Sequence, residues 1–110
     1  MKIAIPTVND SLCRHFGHCE VFTIFEIENK KIVAQAQLTP PPHEPGVLPK
    51  WLNDMDVNMV IAGGMGARAQ QLFAEKNIQV IVGAPAFSTD TIIDAYLNEN
   101  LETGDNICDH

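Results

Sequence analysis

At 110 residues the chain fits a single hydrophobic core. Its formal net charge of −7, with only seven scattered Lys and Arg, argues against nucleic acid, whose phosphates are held by clustered basic side chains. No stretch approaches the roughly 18 apolar residues of a membrane span, and the opening Met1-Lys2-Ile3-Ala4-Ile5-Pro6 is too short for a secretory signal. Three cysteines leave no complete disulfide framework, so reduced thiols in a cytoplasmic setting are expected.

Residues Lys2 to Pro6 are predicted to be a buried strand, ended by Pro6 and the polar pair Asn9-Asp10. Ser11 to Glu20 has no clean period and reads as a functional loop. From Val21 to Glu28 the chain is first apolar on both faces and then alternates, as in a strand leaving the core. Glu28-Asn29-Lys30-Lys31 is a turn, and Ile32 to Leu38 completes a β-hairpin. Thr39 to Gly46 contains Pro40, Pro41, Pro42 and Pro45 and cannot hold a helix; His43 lies at its middle.

Pro49 fits the first turn of a short helix running to about Asp54, with Trp51, Leu52 and Met55 as its apolar side. Asn58 to Ala62 is a short strand that runs straight into Gly63-Gly64-Met65-Gly66. Ala67 to Lys76 has helical spacing, with Ala69, Leu72 and Phe73 inward. Ile78 to Val82 is expected to be another buried strand. Ser88 or Thr89 then caps a helix with Ile92, Ile93, Tyr96 and Leu97 on its inner face. The hairpin requires an antiparallel pair, and the later strand–helix–strand units require parallel strands joined by right-handed crossovers. The expectation is an α/β fold with a mixed sheet, one domain over 1–103, and a polar tail over 104–110.

Two segments carry chemistry. Within seven positions the loop offers Cys13, His15, His18 and Cys19, donors suited to zinc, copper and iron–sulfur centres. Phe16 can anchor this loop to the core, and Gly17 can take a backbone conformation that a side chain resists. The spacing matches no four-ligand zinc template. The structural alternative makes His15 and His18 surface residues, packs Cys19 under the second strand and leaves Cys13 incidental. His43 and the terminal Cys108-Asp109-His110 are further donors, although a terminal stretch of this kind also reads as a solubilising end.

The second segment, Gly63-Gly64-Met65-Gly66, lies between a strand and a helix, where open α/β sheets bind ligands. Converging N–H groups there accept anions, and Arg68 adds positive charge. It is neither a dinucleotide fingerprint nor a phosphate loop, and its structural alternative is close helix–sheet packing. No nucleophile elbow or His-Glu-x-x-His is present, and neither cysteine has an evident orienting partner, so no enzymatic activity is expected.

Taken in order, Met1-Lys2-Ile3-Ala4-Ile5-Pro6, His15-Phe16-Gly17-His18-Cys19 running into Val21-Phe22, and Ile61-Ala62-Gly63-Gly64-Met65-Gly66 resemble the dinitrogenase iron–molybdenum cofactor biosynthesis family. That family includes stand-alone NifX-like proteins and the C-terminal domain of NifB. The resemblance covers nearly the whole chain and implies a ribonuclease H-like fold with a mixed five-stranded sheet and flanking helices. It implies non-catalytic binding or carriage of an iron–molybdenum cofactor-like or other metal–sulfur cluster, with cluster donor or acceptor proteins as partners. Cys19, His15 and His18 are the leading ligand candidates, followed by Cys13, His43, Cys108 and His110. Gly17, Gly63, Gly64, Met65, Gly66 and Arg68 would face the cluster. The alternative is a protein-interaction or regulatory module with a degenerate cluster site. Either is expected as a monomer or weak homodimer.

Overall fold

A computed structural model describes residues 1–16, 19–42, 44 and 46–104. The elements run β1 (Lys2–Val8), β2 (Ser11–Leu12), β3 (Val21–Glu28), β4 (Lys31–Leu38), α1 (Val47–Asp54), β5 (Met59–Ile61), α2 (Ala67–Glu75), β6 (Gln79–Ile81) and α3 (Thr89–Leu97). Among the described residues the sheet has six strands in the order β4-β3-β1-β5-β6, with β2 paired to β1 off that path. The hairpin pairs antiparallel, β3 runs antiparallel to β1, and β1, β5 and β6 are mutually parallel. This is the expected mixed α/β sheet with one strand more than the five anticipated.

The extra strand arises from Asn9 and Asp10. Both take positive φ (51° and 65°), which turns the chain back after two residues and sets Ser11 and Leu12 against Val8 and Thr7. Asn29 and Lys30 do the same at the β3–β4 turn, with φ of 52° and 62°. Asn tolerates the left-handed region better than most residues, so the first position of each turn has the side chain that suits it.

Each face of the sheet carries its own core. Ala4, Phe22, Ile24, Val60 and Ala62 pack with Leu48 and Leu52 of α1 and Phe73 of α2. Ile3, Ile5, Phe25, Ile27, Met59 and Ile61 pack with Ile92 and Ile93 of α3. The period-2 alternation of β1 and β3 therefore serves two helical layers at once, which is why both strands read as apolar on both sides. Ser88 caps α3, its Oγ accepting from the Thr91 N–H at 3.2 Å.

One sequence expectation is corrected. The strand at 79–81 is not buried: Gln79 is exposed and Val80 and Ile81 are half-buried. Among the described residues it is the last strand of the sheet, so only one edge is covered. At the other margin, β4 is exposed from Lys31 to Gln37, and only its last residue, Leu38, packs against the α1–α2 core.

Phe16 ties the loop after β2 to the α1–α2 face. It is 7% exposed, its ring centroid lying 5.5 Å from Phe73 in an edge-on contact and 5.8 Å from Phe22. Phe22 continues the chain of rings to Trp51 at 5.6 Å. Phe16→Ala is expected to cost about 3–5 kcal/mol in a denaturant titration, through lost burial and the cavity left behind. A cost below about 1 kcal/mol would show that the loop does not depend on this anchor.

Candidate functional site

The strand registers bring the chemistry-bearing loops to one end of the sheet. β1, β5 and β6 are parallel, so the segments leaving their C-terminal ends emerge side by side. β3 enters at that end, because Val21 pairs with Thr7, and β4 leaves there, because Leu38 pairs with Phe22. The loops at 13–20, 63–66 and 82–87, and the start of the proline-rich segment, thus share one rim. This is the rim at which open α/β sheets usually bind ligands.

Backbone hydrogen bonds stitch these loops together. The Gly64 N–H donates to the Arg14 carbonyl at 2.7 Å, and the Phe16 N–H donates to the Gly64 carbonyl at 2.9 Å, forming a parallel bridge between His15 and Gly64. The Gly83 N–H donates to the Gly63 carbonyl at 2.6 Å, and the Gly104 N–H donates to the Gly83 carbonyl at 2.7 Å. A Cβ on Gly63 would sit 2.9 Å from the Arg14 carbonyl oxygen, too close to backbone. Gly83 has a φ of +82°, and a Cβ there would run into the Gly104 carbonyl. The glycines are used first to let backbones approach one another. The Gly64 N–H, expected to face an anion, is engaged by Arg14 instead.

Cys13 is buried, and its Sγ donates to the His15 carbonyl at 3.0 Å. Cys19 is half-buried against the α1–α2 core and close enough to Cys13 to feel its charge. Burial, and then Cys13, push the Cys19 thiol up to about 11, against a smaller lowering by a backbone hydrogen bond. His15 and Arg14 are exposed beside them. Two soft donors and an imidazole-bearing residue therefore occupy one short loop.

The remaining sequence candidates separate. Gly17, His18, His43, Cys108 and His110 lie outside the described residues. Gly66 precedes α2 in extended conformation (φ −65°, ψ 156°), and no side chain caps that helix start. Arg68 is exposed in its first turn. Met65 is 1% exposed and packed in the core, so its thioether does not face this rim, and its carbonyl accepts from Gln70 at 2.9 Å. Among the described residues, no three His, Cys, Asp or Glu side chains gather closely enough to hold a metal ion. Gly83 and Gly104 belong to no glycine motif, so their place in this rim is not legible in the sequence.

A groove of about 650 Å³ runs along the α3 side of the sheet, lined by Met1, Ile27, Ile81, Tyr96, Leu97 and neighbouring residues. Among the described residues, none that lines it is a cysteine or histidine. Among the described residues, no helix is long and apolar enough to cross a membrane.

Comparison with known proteins agrees with this architecture. A family model described as "Dinitrogenase iron-molybdenum cofactor" matches residues 1–99. An uncharacterized protein of Methanocaldococcus jannaschii is 36% identical over 107 residues, covering 93% of this chain and 90% of its own length. The crystal structure of PH0822 superposes with a TM-score of 0.88 at 27% identity, covering 94% of each chain. The apo form of the orange protein of Desulfovibrio gigas gives 0.76 at 15% identity, with 96% of this chain and 93% of that one covered, which speaks to the fold alone.

The raised Cys19 thiol has a measurable sign. The fold favours its protonated form, a contribution to stability present below the ordinary value near 9 and lost as pH climbs towards 11. Alkylation of Cys19 by iodoacetamide, followed by mass spectrometry, is expected to keep accelerating from pH 9 to 11 in the native protein. In urea it should level off above about pH 9. Coincident profiles would contradict the burial assigned to this thiol. Gly63→Ala is expected to destabilise by about 1–3 kcal/mol, because the clash is with backbone that cannot rotate away.

Proposed function

Because the chain belongs to the dinitrogenase iron–molybdenum cofactor family, we propose that it binds and carries a metal–sulfur cluster, of the iron–molybdenum cofactor kind or a simpler iron–sulfur kind, without catalysing a reaction. The observation that carries this reading is the rim itself. Cys13, Cys19 and His15 stand on one loop, and that loop is bonded through Gly64 to the segment after β5. In this reading 1–103 form one ribonuclease H-like domain, and the chain works in the cytoplasm, where thiols stay reduced.

The donor chemistry fits such cargo. Thiolates take iron and other soft metals, and imidazole adds a borderline ligand. Cys19 is the leading ligand, with His15 and His18 beside it, and Cys13 lies behind them. The exposed Arg14 and Arg68 offset the charge of an anionic cluster in an otherwise acidic chain. The uncapped start of α2 leaves N–H groups suited to the cluster's sulfides, flanked by Gly63, Gly64 and Gly66. Gly17 would let the loop close around the cargo.

Further donors come from the flanking segments. The proline-rich segment starts from the same rim, and His43 within it is a further candidate donor. The tail leaves from Gly104, which is held to Gly83, and Cys108 follows four residues later, within about 14 Å of extended chain. Cys108 and His110 would then close the site from the β6 side. Cluster donor and acceptor proteins are the implied partners, since a carrier must be loaded and emptied.

A protected Cys19 thiol must lose its proton to bind metal, so affinity should rise with pH up to about 11. Anoxic purification and reconstitution with iron, molybdate and sulfide, followed by metal and acid-labile sulfide analysis, tests the reading. Metal and sulfide in comparable amounts are expected, falling about 10-fold or more in a Cys19→Ala variant whose circular dichroism is unchanged. A smaller loss is expected for Cys108→Ser. Metal without sulfide would replace the cluster by a mononuclear site. No metal in any form would overturn the carrier reading and leave an interaction or regulatory module with a degenerate site.

A further inference from the structure

β4 is an edge strand of eight residues with exposed side chains from Lys31 to Gln37, including Ile32 at 43% and Val33 at 53% exposure. Edge strands of soluble proteins are usually blunted by charge, proline or cover. From Ile32 to Leu38 this one carries no charged residue and no proline, in a chain with a net charge of −7.

The direction of its hydrogen-bonding groups follows from the register. Met1 and Ile27 exchange both backbone bonds, at 3.1 and 2.7 Å, so Ile27, Phe25 and Thr23 point their N–H and C=O groups towards β1. Glu26, Ile24 and Phe22 therefore point towards β4, where they pair with Ala34, Ala36 and Leu38. Gln35 and Gln37 are left with their N–H and C=O groups directed outward, away from β3.

We propose that this edge pairs with β4 of a second copy of the chain, antiparallel about a two-fold axis at Gln35. In that register each Gln35 exchanges N–H to C=O bonds with its counterpart, and Ala34 stands opposite Ala36. The small alanines let the two backbones approach without steric conflict on the α1 face. A two-fold centred on Ala34 would instead put the irregularity between Glu26 and Ile27, which leaves Val33 without a partner in the register, next to the axis. Centring on Gln35 moves it towards the end of the ladder.

Charge favours a second copy in this orientation. Lys30 and Lys31 mark one end of the edge, and Asp10 marks the other, accepting from the Gln37 side-chain amide at 3.1 Å. Antiparallel pairing carries the lysines of each copy towards the other's Asp10, whereas parallel pairing would set lysine against lysine. Ile32 and Val33 lose exposed apolar surface at the same time.

Gln35→Pro is the discriminating variant, because the donor it removes points outward and the β3–β4 ladder keeps its bonds. Sedimentation equilibrium of the wild-type chain from micromolar to submillimolar concentration is expected to show a reversible dimer, and Gln35→Pro a monomer with unchanged circular dichroism. A wild-type chain that is monomeric throughout would overturn the proposal, as would a Gln35→Pro variant that still dimerises. Gln35→Cys gives a second reading that does not depend on the proline variant folding. Mild oxidation should yield a covalent dimer through position 35, and a Lys50→Cys control should not. Equal crosslinking of the two would contradict this register.

Discussion

The candidate site depends on one short set of backbone bonds, running from Arg14 to Gly64, from Gly63 to Gly83 and from Gly83 to Gly104. These four segments follow β2, β5, β6 and α3, and nothing in their local sequence requires them to meet. They meet because β1, β5 and β6 run parallel in neighbouring positions and end on the same rim. Glycine at 63 and at 83 removes the side chains that would hold the backbones apart. The thiol-bearing loop is thereby fixed at its Arg14–Phe16 end by hydrogen bonds and by the Phe16 ring in the core.

That arrangement separates support from exposure. Phe16, Met65 and Cys13 are buried and hold the rim in place, while Arg14 and His15 are exposed upon it. Cys19 stands between, half-buried and held as a neutral thiol by its surroundings. A neutral thiol next to a second one is stable without metal at neutral pH, and it yields a proton when a soft cation arrives. Such a loop suits reversible loading better than a permanently charged site would.

Much of the architecture could be read from the residues. The hairpin, the three helices and the strand before Gly63 follow from period-2 and period-3.6 patterns, because those patterns are local. The cysteine–histidine loop and the glycine loop were also visible as motifs, and their order along the chain carried the family resemblance. What escaped the sequence was non-local. Nothing in Gln79–Ile81 says that it lies at a margin of the sheet, and a mostly apolar run such as Ile78–Val82 reads as buried whether it is central or marginal. The roles of Gly83 and Gly104 come from their being separated in sequence by the whole of α3 but adjacent in space. The burial of Cys13 likewise follows from the Asn9-Asp10 turn, which folds Leu12 and Cys13 back over β1. Gly64 was read as an anion donor, yet its N–H meets a carbonyl that only the fold brings near.

In the carrier function proposed above, the rim at Cys13–Cys19 and Gly63–Gly66 receives the cargo, and the groove along the α3 side does not. Amide ¹H–¹⁵N spectra of the chain before and after anoxic cluster reconstitution test it most directly. Shifted or paramagnetically broadened amides are expected to be confined to Cys13–Glu20, Gly63–Gly66, Gly83 and Gly104, with Met1, Ile27, Tyr96 and Leu97 unchanged. Changes centred on that second set, with the rim untouched, would contradict it.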